Sequence, residues 1–272
     1  MEADQPRVAF VTGASRGIGR LLALSLADAG TSVVGFARSS DALDSLADEP
    51  VSRSAIHTRS VDVTNPGDVR SVFQQAALDI GIPNLLITCA GSAAALGPIS
   101  TIDPHEWWRD VTIDLYGTMV CVQAALGPML KAGSGHIVTV YGNLGDQGQE
   151  HVSAFATGKA GIARFTETLA NELNDSGIVA LAIHPGFVRT PMTEHLAWGD
   201  EGQQWLPDFR SRAEQHWGDG TPAIVLVKRI VAGEADGLAG RVIHVGDDLE
   251  RLSNRAQADQ NLRRLRIRLD KP

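Results

Sequence analysis

Short apolar, often β-branched runs alternate with longer stretches of helical periodicity from one end of the chain to the other. Runs that are apolar at successive positions fit strands buried on both faces of a parallel sheet, since an open face would demand polar alternation. Strands are predicted at Val8 to Thr12, Ser32 to Ala37, Ala55 to Val61, Asn84 to Cys89, His136 to Tyr141, Ile178 to His184 and Arg241 to Val245. Between them, Ile18, Leu22 and Leu26 fall on one face of a predicted helix from Gly17 to Ala29, which Gly30 stops. Asn65-Pro66 opens a helix over Val69 to Ala77, Asp103-Pro104 opens one over Trp107 to Leu130, and a further helix is expected from Ser153 to Leu173. The pattern predicts an α/β fold: a doubly wound, seven-stranded parallel sheet with helices on both faces.

The alternation lapses over 185–220, a segment that holds Trp198, Trp205, Phe209 and Trp217. An aperiodic stretch of this length is expected to be an active-site lid with an apolar underside, or else aromatics that only pack it onto the domain. A C-terminal extension over 246–272 ends in Leu265-Arg266-Ile267-Arg268-Leu269, which alternates like an extra strand with one wet face.

Composition narrows the partners. No linker or charge block divides residues 1–272, so a single domain is expected. A net charge of -8 argues against nucleic acid and anionic membranes. Small molecules are the expected partners. The two cysteines, Cys89 and Cys121, sit in apolar runs and make no disulfide framework. With no signal-peptide pattern and no apolar stretch near the roughly 18 residues of a membrane span, a cytoplasmic protein is expected. No metal site is expected.

The chemistry starts at the end of the first strand. Thr12-Gly13-Ala14-Ser15-Arg16-Gly17-Ile18-Gly19 lies between that strand and the first helix. Glycines there let backbone N–H groups approach a pyrophosphate, and the helix N-terminus presents unpaired donors and the positive end of its dipole. The spacing Thr12-Gly13-x-x-x-Gly17-x-Gly19 resembles the short-chain dehydrogenase/reductase family, and weaker similarities follow in the family's order. Asp62-Val63 resembles the pair at the adenine ring. Ala90-Gly91 resembles the end of the family's Asn-Asn-Ala-Gly turn, and His184-Pro185-Gly186-Phe187-Val188-Arg189-Thr190 its Pro-Gly segment, whose Val and Thr positions meet the nicotinamide end. The resemblance implies a Rossmann sheet. It further implies a cofactor site made by Gly13, Ser15, Arg16, Gly17, Ile18, Gly19, Arg38, Asp62, Val63, Ala90, Gly91, Lys159, Pro185, Gly186, Val188 and Thr190.

NAD-specific sites carry an acid at the end of the second strand, whereas a 2′-phosphate needs cations there. Here that strand ends Phe36-Ala37-Arg38-Ser39, and Arg16 is within reach. NADP(H) is the expected cofactor, unless Arg38 is only a surface residue.

The family's catalytic residues are only partly represented. Where the resemblance implies Tyr-x-x-x-Lys, the chain reads Phe155-Ala156-Thr157-Gly158-Lys159. The Ser position holds Gly142 and the Asn position Asp114. Phe155 cannot exchange a proton, and Gly142 has no hydroxyl to hold an oxyanion. Lys159 is expected to remain at the nicotinamide ribose, with Asp114 as its pair. His151, one turn before Phe155, is the first substitute proton donor, and Tyr141 the second. The commoner role for either residue is a packed or solvent-facing one.

The expected function is an atypical NADP(H)-dependent oxidoreductase acting on a fairly apolar small carbonyl compound. The alternatives are a catalytically silent subunit that stabilises an active relative, or a non-redox enzyme on the same fold. The helical segments Trp107 to Leu130 and Ser153 to Leu173 resemble the family's subunit contact. They imply a homodimer or homotetramer, or a heteromer with a related subunit.

Overall fold

A computed structural model describes residues 8–49, 56–142, 145 and 147–265. The strands are β1 (Val8–Thr12), β2 (Ser32–Ala37), β3 (Ile56–Ser60), β4 (Leu85–Thr88), β5 (Gly135–Val140), β6 (Ile178–His184) and β7 (Val242–His244). They form one seven-stranded sheet in the order β3-β2-β1-β4-β5-β6-β7, and every neighbouring pair is parallel. All of β1 and β4 is buried, as the uninterrupted apolar runs require. Each predicted strand is present, with ends shifted by a residue or so. Ala55 and residues 266–269 of the predicted tail strand lie outside the described residues.

Helices cover both faces. On one side α1 (Gly17–Asp28), α2 (Ser40–Ala47), α10 (Thr221–Val231) and α11 (Leu249–Ala258) bury Leu22, Leu43, Ile230 and Leu252 in a common core. On the other, α3 (Pro66–Asp79), α5 (Gly117–Ala132) and α6 (Ser153–Glu172) enclose Phe73, Met129 and Leu169. There Phe10, Phe36 and Phe73 meet ring to ring at centroid distances of 4.4 to 5.3 Å. The start signals work as read. Asn65 accepts from the N–H groups of Gly67 and Asp68 at the head of α3, and Asp103 accepts from His105 N at the head of α4 (Pro104–Val111).

Three helices had no clear sequence signal. In α10 the run Ile224-Val225-Leu226-Val227 is β-branched enough to read as a strand, and it is helical because Leu226, Val227 and Ile230 bury against α1. α2 and α11 are short and polar, and begin on the side-chain caps of Ser39 and Asp248. The lid segment is helical in three pieces, α7 (Pro191–Trp198), α8 (Asp200–Trp205) and α9 (Pro207–His216).

From Pro104 to Ala132 the chain is helical throughout, but Thr112–Tyr116 winds as a π turn between α4 and α5. By length and composition this run could cross a membrane, with a mean hydropathy of 1.3 in its most apolar window, although no continuous apolar stretch had marked it. Its place on the sheet decides otherwise. Val120, Val122, Ala125 and Met129 lie in the core, and the carboxyls of Asp110 and Asp114 are buried on the same run.

Candidate active site

The chain leaves β1 toward β2 on one side of the sheet and crosses to β4 on the other, so a crevice opens where the strand order reverses. There a cleft of about 780 Å³ runs along the carboxyl ends of the strands. Gly13, Ser15, Arg16, Gly17, Ile18, Arg38, Asp62, Val63, Ala90, Gly91, Lys159, Pro185, Gly186, Val188 and Thr190 all line it. Of the cofactor residues expected from sequence, Gly19 alone is absent from the lining. A side chain there would lie 2.3 Å from the Gly13 carbonyl oxygen, so its place is inside the turn. Gly13 has φ +66°, and a Cβ on it would meet the Ala90 backbone at 2.8 Å. Thr12 Oγ1 accepts from Cys89 N and Ala90 N, tying this turn to the end of β4.

These features fit a dinucleotide. No side chain caps the N-terminus of α1, whose N-cap residue is Arg16, so its first N–H groups are available to a pyrophosphate. Asp62 is the one carboxylate among the described lining residues, and its Oδ1 is engaged by the N–H and hydroxyl of Thr64. Arg16 and Arg38 line the end that contains Ala37 and Ser39, where a 2′-phosphate would lie.

At the inner end the positions expected to carry the chemistry converge. A Cβ on Gly142 would touch the Phe155 ring at 3.4 Å and Lys159 Cγ at 3.7 Å. Lys159 is buried to 6% exposure; its Nζ donates to the Val140 carbonyl at 3.3 Å and sits 5.2 Å from the Phe155 ring centroid. Asp114 Oδ2 faces Nζ at 3.6 Å, an ion pair too long for a hydrogen bond, while Oδ1 accepts from Ser92 N at 2.8 Å. The π turn brings Asp114 here, and the approach is close: a Cβ on Gly91 would fall 2.9 Å from Asp114 Oδ1, and one on Gly158 would fall 2.9 Å from Asp114 Cβ and 3.3 Å from Oδ2. Asp114 Oδ2 has no hydrogen-bond partner among the described residues.

Burial pushes the Asp114 carboxyl up to about 6, although the Lys159 charge and the Ser92 N–H oppose the shift. The sign for stability follows. Between its ordinary value near 3.8 and about 6, the folded chain holds this proton and the unfolded chain releases it. Stability from this group is therefore greatest at low pH and is lost as pH rises to about 6. Asp114→Asn should remove this loss. In urea melts, the variant should gain on the parent by about 3 kcal/mol from pH 4 to 6.5 and be parallel to it above that. A pH-independent difference would show that the carboxyl is not raised.

Of the two substitute donors, His151 lies outside the cleft and Tyr141 lines it. His151 Nδ1 is hydrogen-bonded to the Trp205 carbonyl at 2.9 Å, its ring lies 5.1 Å from the Trp205 ring, and it does not line the cleft. The Tyr141 side chain packs with Ala163 and Ala182, away from Gly142, because successive residues leaving β5 point to opposite faces. Lys159 and Asp114 are the pair that the fold brings together.

Other residues of the cleft carried no sequence signal. Gln147, Gln149 and Arg212 line it, the last from α9. His184, read in the sequence only as the first residue of the Pro-Gly segment, also lines it, accepting from Gly186 N through Nδ1 and stacking on His244 at 4.9 Å. Burial and that neighbour push the His184 imidazole down to about 4. Asp110 accepts from Ala94 N and Ala95 N at 2.8 Å and from the Ser92 hydroxyl, shaping the loop after β4.

A glycine-rich turn at the switch point of a parallel sheet, with a buried lysine at the inner end of the cleft, defines a nucleotide-dependent oxidoreductase. The sequence profile of the short chain dehydrogenase family matches residues 7–200, and the chain belongs to that family, whose members use nicotinamide cofactors. It is 36% identical over 197 residues to the cis-4-hydroxycyclohexanecarboxylate dehydrogenase of Sinomonas cyclohexanicum, covering 72% of this chain and 78% of that one. It is 35% identical over 202 residues to a 3-oxoacyl-[acyl-carrier-protein] reductase of Synechocystis, covering 72% and 80%. Among solved structures, a short-chain type dehydrogenase/reductase from Mycobacterium marinum superposes with a TM-score of 0.77 at 27% identity, covering 88% and 93%. An actinorhodin polyketide ketoreductase with NADPH gives 0.77 at 25% identity, covering 90% and 97%.

Proposed function

We propose that this chain is an NADP(H)-dependent reductase of a fairly apolar small carbonyl compound, in which Lys159 supplies the proton that a tyrosine would otherwise give. The observation that carries the reading is the meeting of Gly142, Phe155 and Lys159, of which only the lysine bears an exchangeable proton. When bound, the nicotinamide supplies a hydride to the carbonyl carbon. Lys159 has three donors, one of them on Val140 O, and can both hold the carbonyl oxygen and protonate it as negative charge develops. Asp114 faces the ammonium and aims it, and the proton is restored from solvent after the product leaves. Ala93, Val152, Phe155, Met192, Leu196 and Leu206 give the adjoining space an apolar wall that suits a hydrocarbon body. The proposal includes a cytoplasmic dimer or tetramer assembled through the segments 107–130 and 153–173.

The test is oxidation of NADPH, followed spectrophotometrically, across a panel of ketones, enones and quinones. Turnover with an apolar member is expected. Tight NADPH binding without any turnover would favour the silent-subunit alternative. The cofactor choice has its own measurement. NADPH should bind more tightly than NADH in calorimetry, and Arg38→Asp should weaken NADPH by roughly 10- to 100-fold, the value of a charge-assisted contact, while leaving NADH nearly unchanged. Equal affinities in the parent chain would remove the argument from Arg16 and Arg38.

A further inference from the structure

We infer that the substrate carries a carboxylate at the end remote from its carbonyl, and that Arg212 on the lid receives it; the inference rests on the reductase reading above. Two cations flank one apolar cluster. Phe155 and Phe209 belong to the same group of packed side chains beneath the lid. Lys159 Nζ stands 5.2 Å from the centroid of the first ring, and Arg212 Cζ 5.8 Å from that of the second.

Arg212 differs from its neighbours in the lid. Arg189 is paired with Glu194 at 2.7 Å and Arg210 with Glu214 at 3.0 Å. Among the described residues the Arg212 guanidinium has no carboxylate partner, only the face of Phe209, yet it lines the cleft. A planar fork of donors held against a ring at the edge of an apolar space matches a carboxylate in two parallel hydrogen bonds. A chain of net charge -8 repels anions at long range, so an acidic ligand needs a local counter-charge. Lys159 cannot serve both ends, being committed to Val140 O and Asp114 at the inner end. The class that fits is an oxo acid, with ketone and carboxylate separated by a hydrocarbon body.

The experiment separates binding from turnover. Octanoate and octanamide share their hydrocarbon body and differ in charge, and their affinities for the NADPH-loaded chain can be measured by calorimetry. Octanoate should bind on the order of ten-fold more tightly, and Arg212→Gln should erase the difference by weakening octanoate alone. Arg212→Lys should restore part of it. The inference is overturned if octanoate fails to bind, if the two bind equally to the parent chain, or if the preference persists in Arg212→Gln. A matching loss of NADPH affinity in Arg212→Gln would assign the arginine to the cofactor and overturn it equally. Reduction of 7-oxooctanoate is measured alongside: its absence despite Arg212-dependent octanoate binding would fail the reductase reading and leave the carboxylate site standing.

Discussion

Lys159→Met should lower kcat/KM for the best carbonyl substrate by about 10²- to 10⁴-fold, the scale set by loss of a general acid. The larger end is expected because neither side chain beside it can take over: position 142 has no side chain and Phe155 no ionisable group. The effect should fall mainly on kcat. If the lysine served only to hold the nicotinamide ribose, NADPH affinity would drop instead and saturating cofactor would restore the rate. One complication is structural. Removing the ammonium leaves the Asp114 carboxylate at 0% exposure with no counter-charge, a loss of about 3 to 5 kcal/mol for a broken buried pair. Lys159→Met with Asp114→Asn removes the stranded charge, so the double variant should recover stability without recovering activity. Activity that returned with stability would show that Lys159 is a folding residue.

Gly19→Ala should cost more stability than its one added methyl suggests. The new Cβ would stand 2.3 Å from the Gly13 carbonyl oxygen and 2.8 Å from its carbon, both backbone atoms of the turn that must face the pyrophosphate. The chain must reopen the turn or displace α1, at about 1 to 3 kcal/mol or more. Since the turn and the uncapped N-terminus of α1 would together hold the pyrophosphate in the proposed reading, NADPH affinity should fall at least about ten-fold with it. Gly67→Ala provides the contrast. A methyl there meets only Asn65 Oδ1, at an ordinary 3.5 Å on the surface of α3, and the helix should gain up to about 1 kcal/mol from a stiffer backbone. Thermal melts of the two variants should move in opposite directions. An undisturbed Gly19→Ala protein that still bound NADPH would mean that the turn tolerates widening.

The places where sequence and structure part company have specific causes. α10 was hidden because a β-branched run has weak helix propensity, and only burial against α1 makes it a helix. His151 and Tyr141 were reasonable proton donors by chemistry and by distance along the chain. His151, with φ +67°, turns its ring to the lid and bonds the Trp205 carbonyl, 54 residues away. Tyr141 lines the cleft but also packs on Ala163 and Ala182, as the alternation of residues leaving β5 directs. Arg212 carried no signal at all, because a lone arginine in an aperiodic segment is indistinguishable from a solvated one until the lid is folded over the cleft.

By itself the sequence determined the strands, the helices at α1, α3, α5 and α6, the glycine-rich turn and which groups stand at positions 142, 155 and 159. These are local properties: periodicity, capping and glycine placement act within a few residues, and their reading needs no partner from elsewhere in the chain. Only the tertiary structure decided that Asp114 and Lys159, 45 positions apart, meet in a buried pair, that the π turn delivers the carboxylate, and that Arg212 reaches a cleft lined by residues of α7 and α9. Those facts depend on long-range packing and on the desolvation it imposes. No segment of the chain can express them alone.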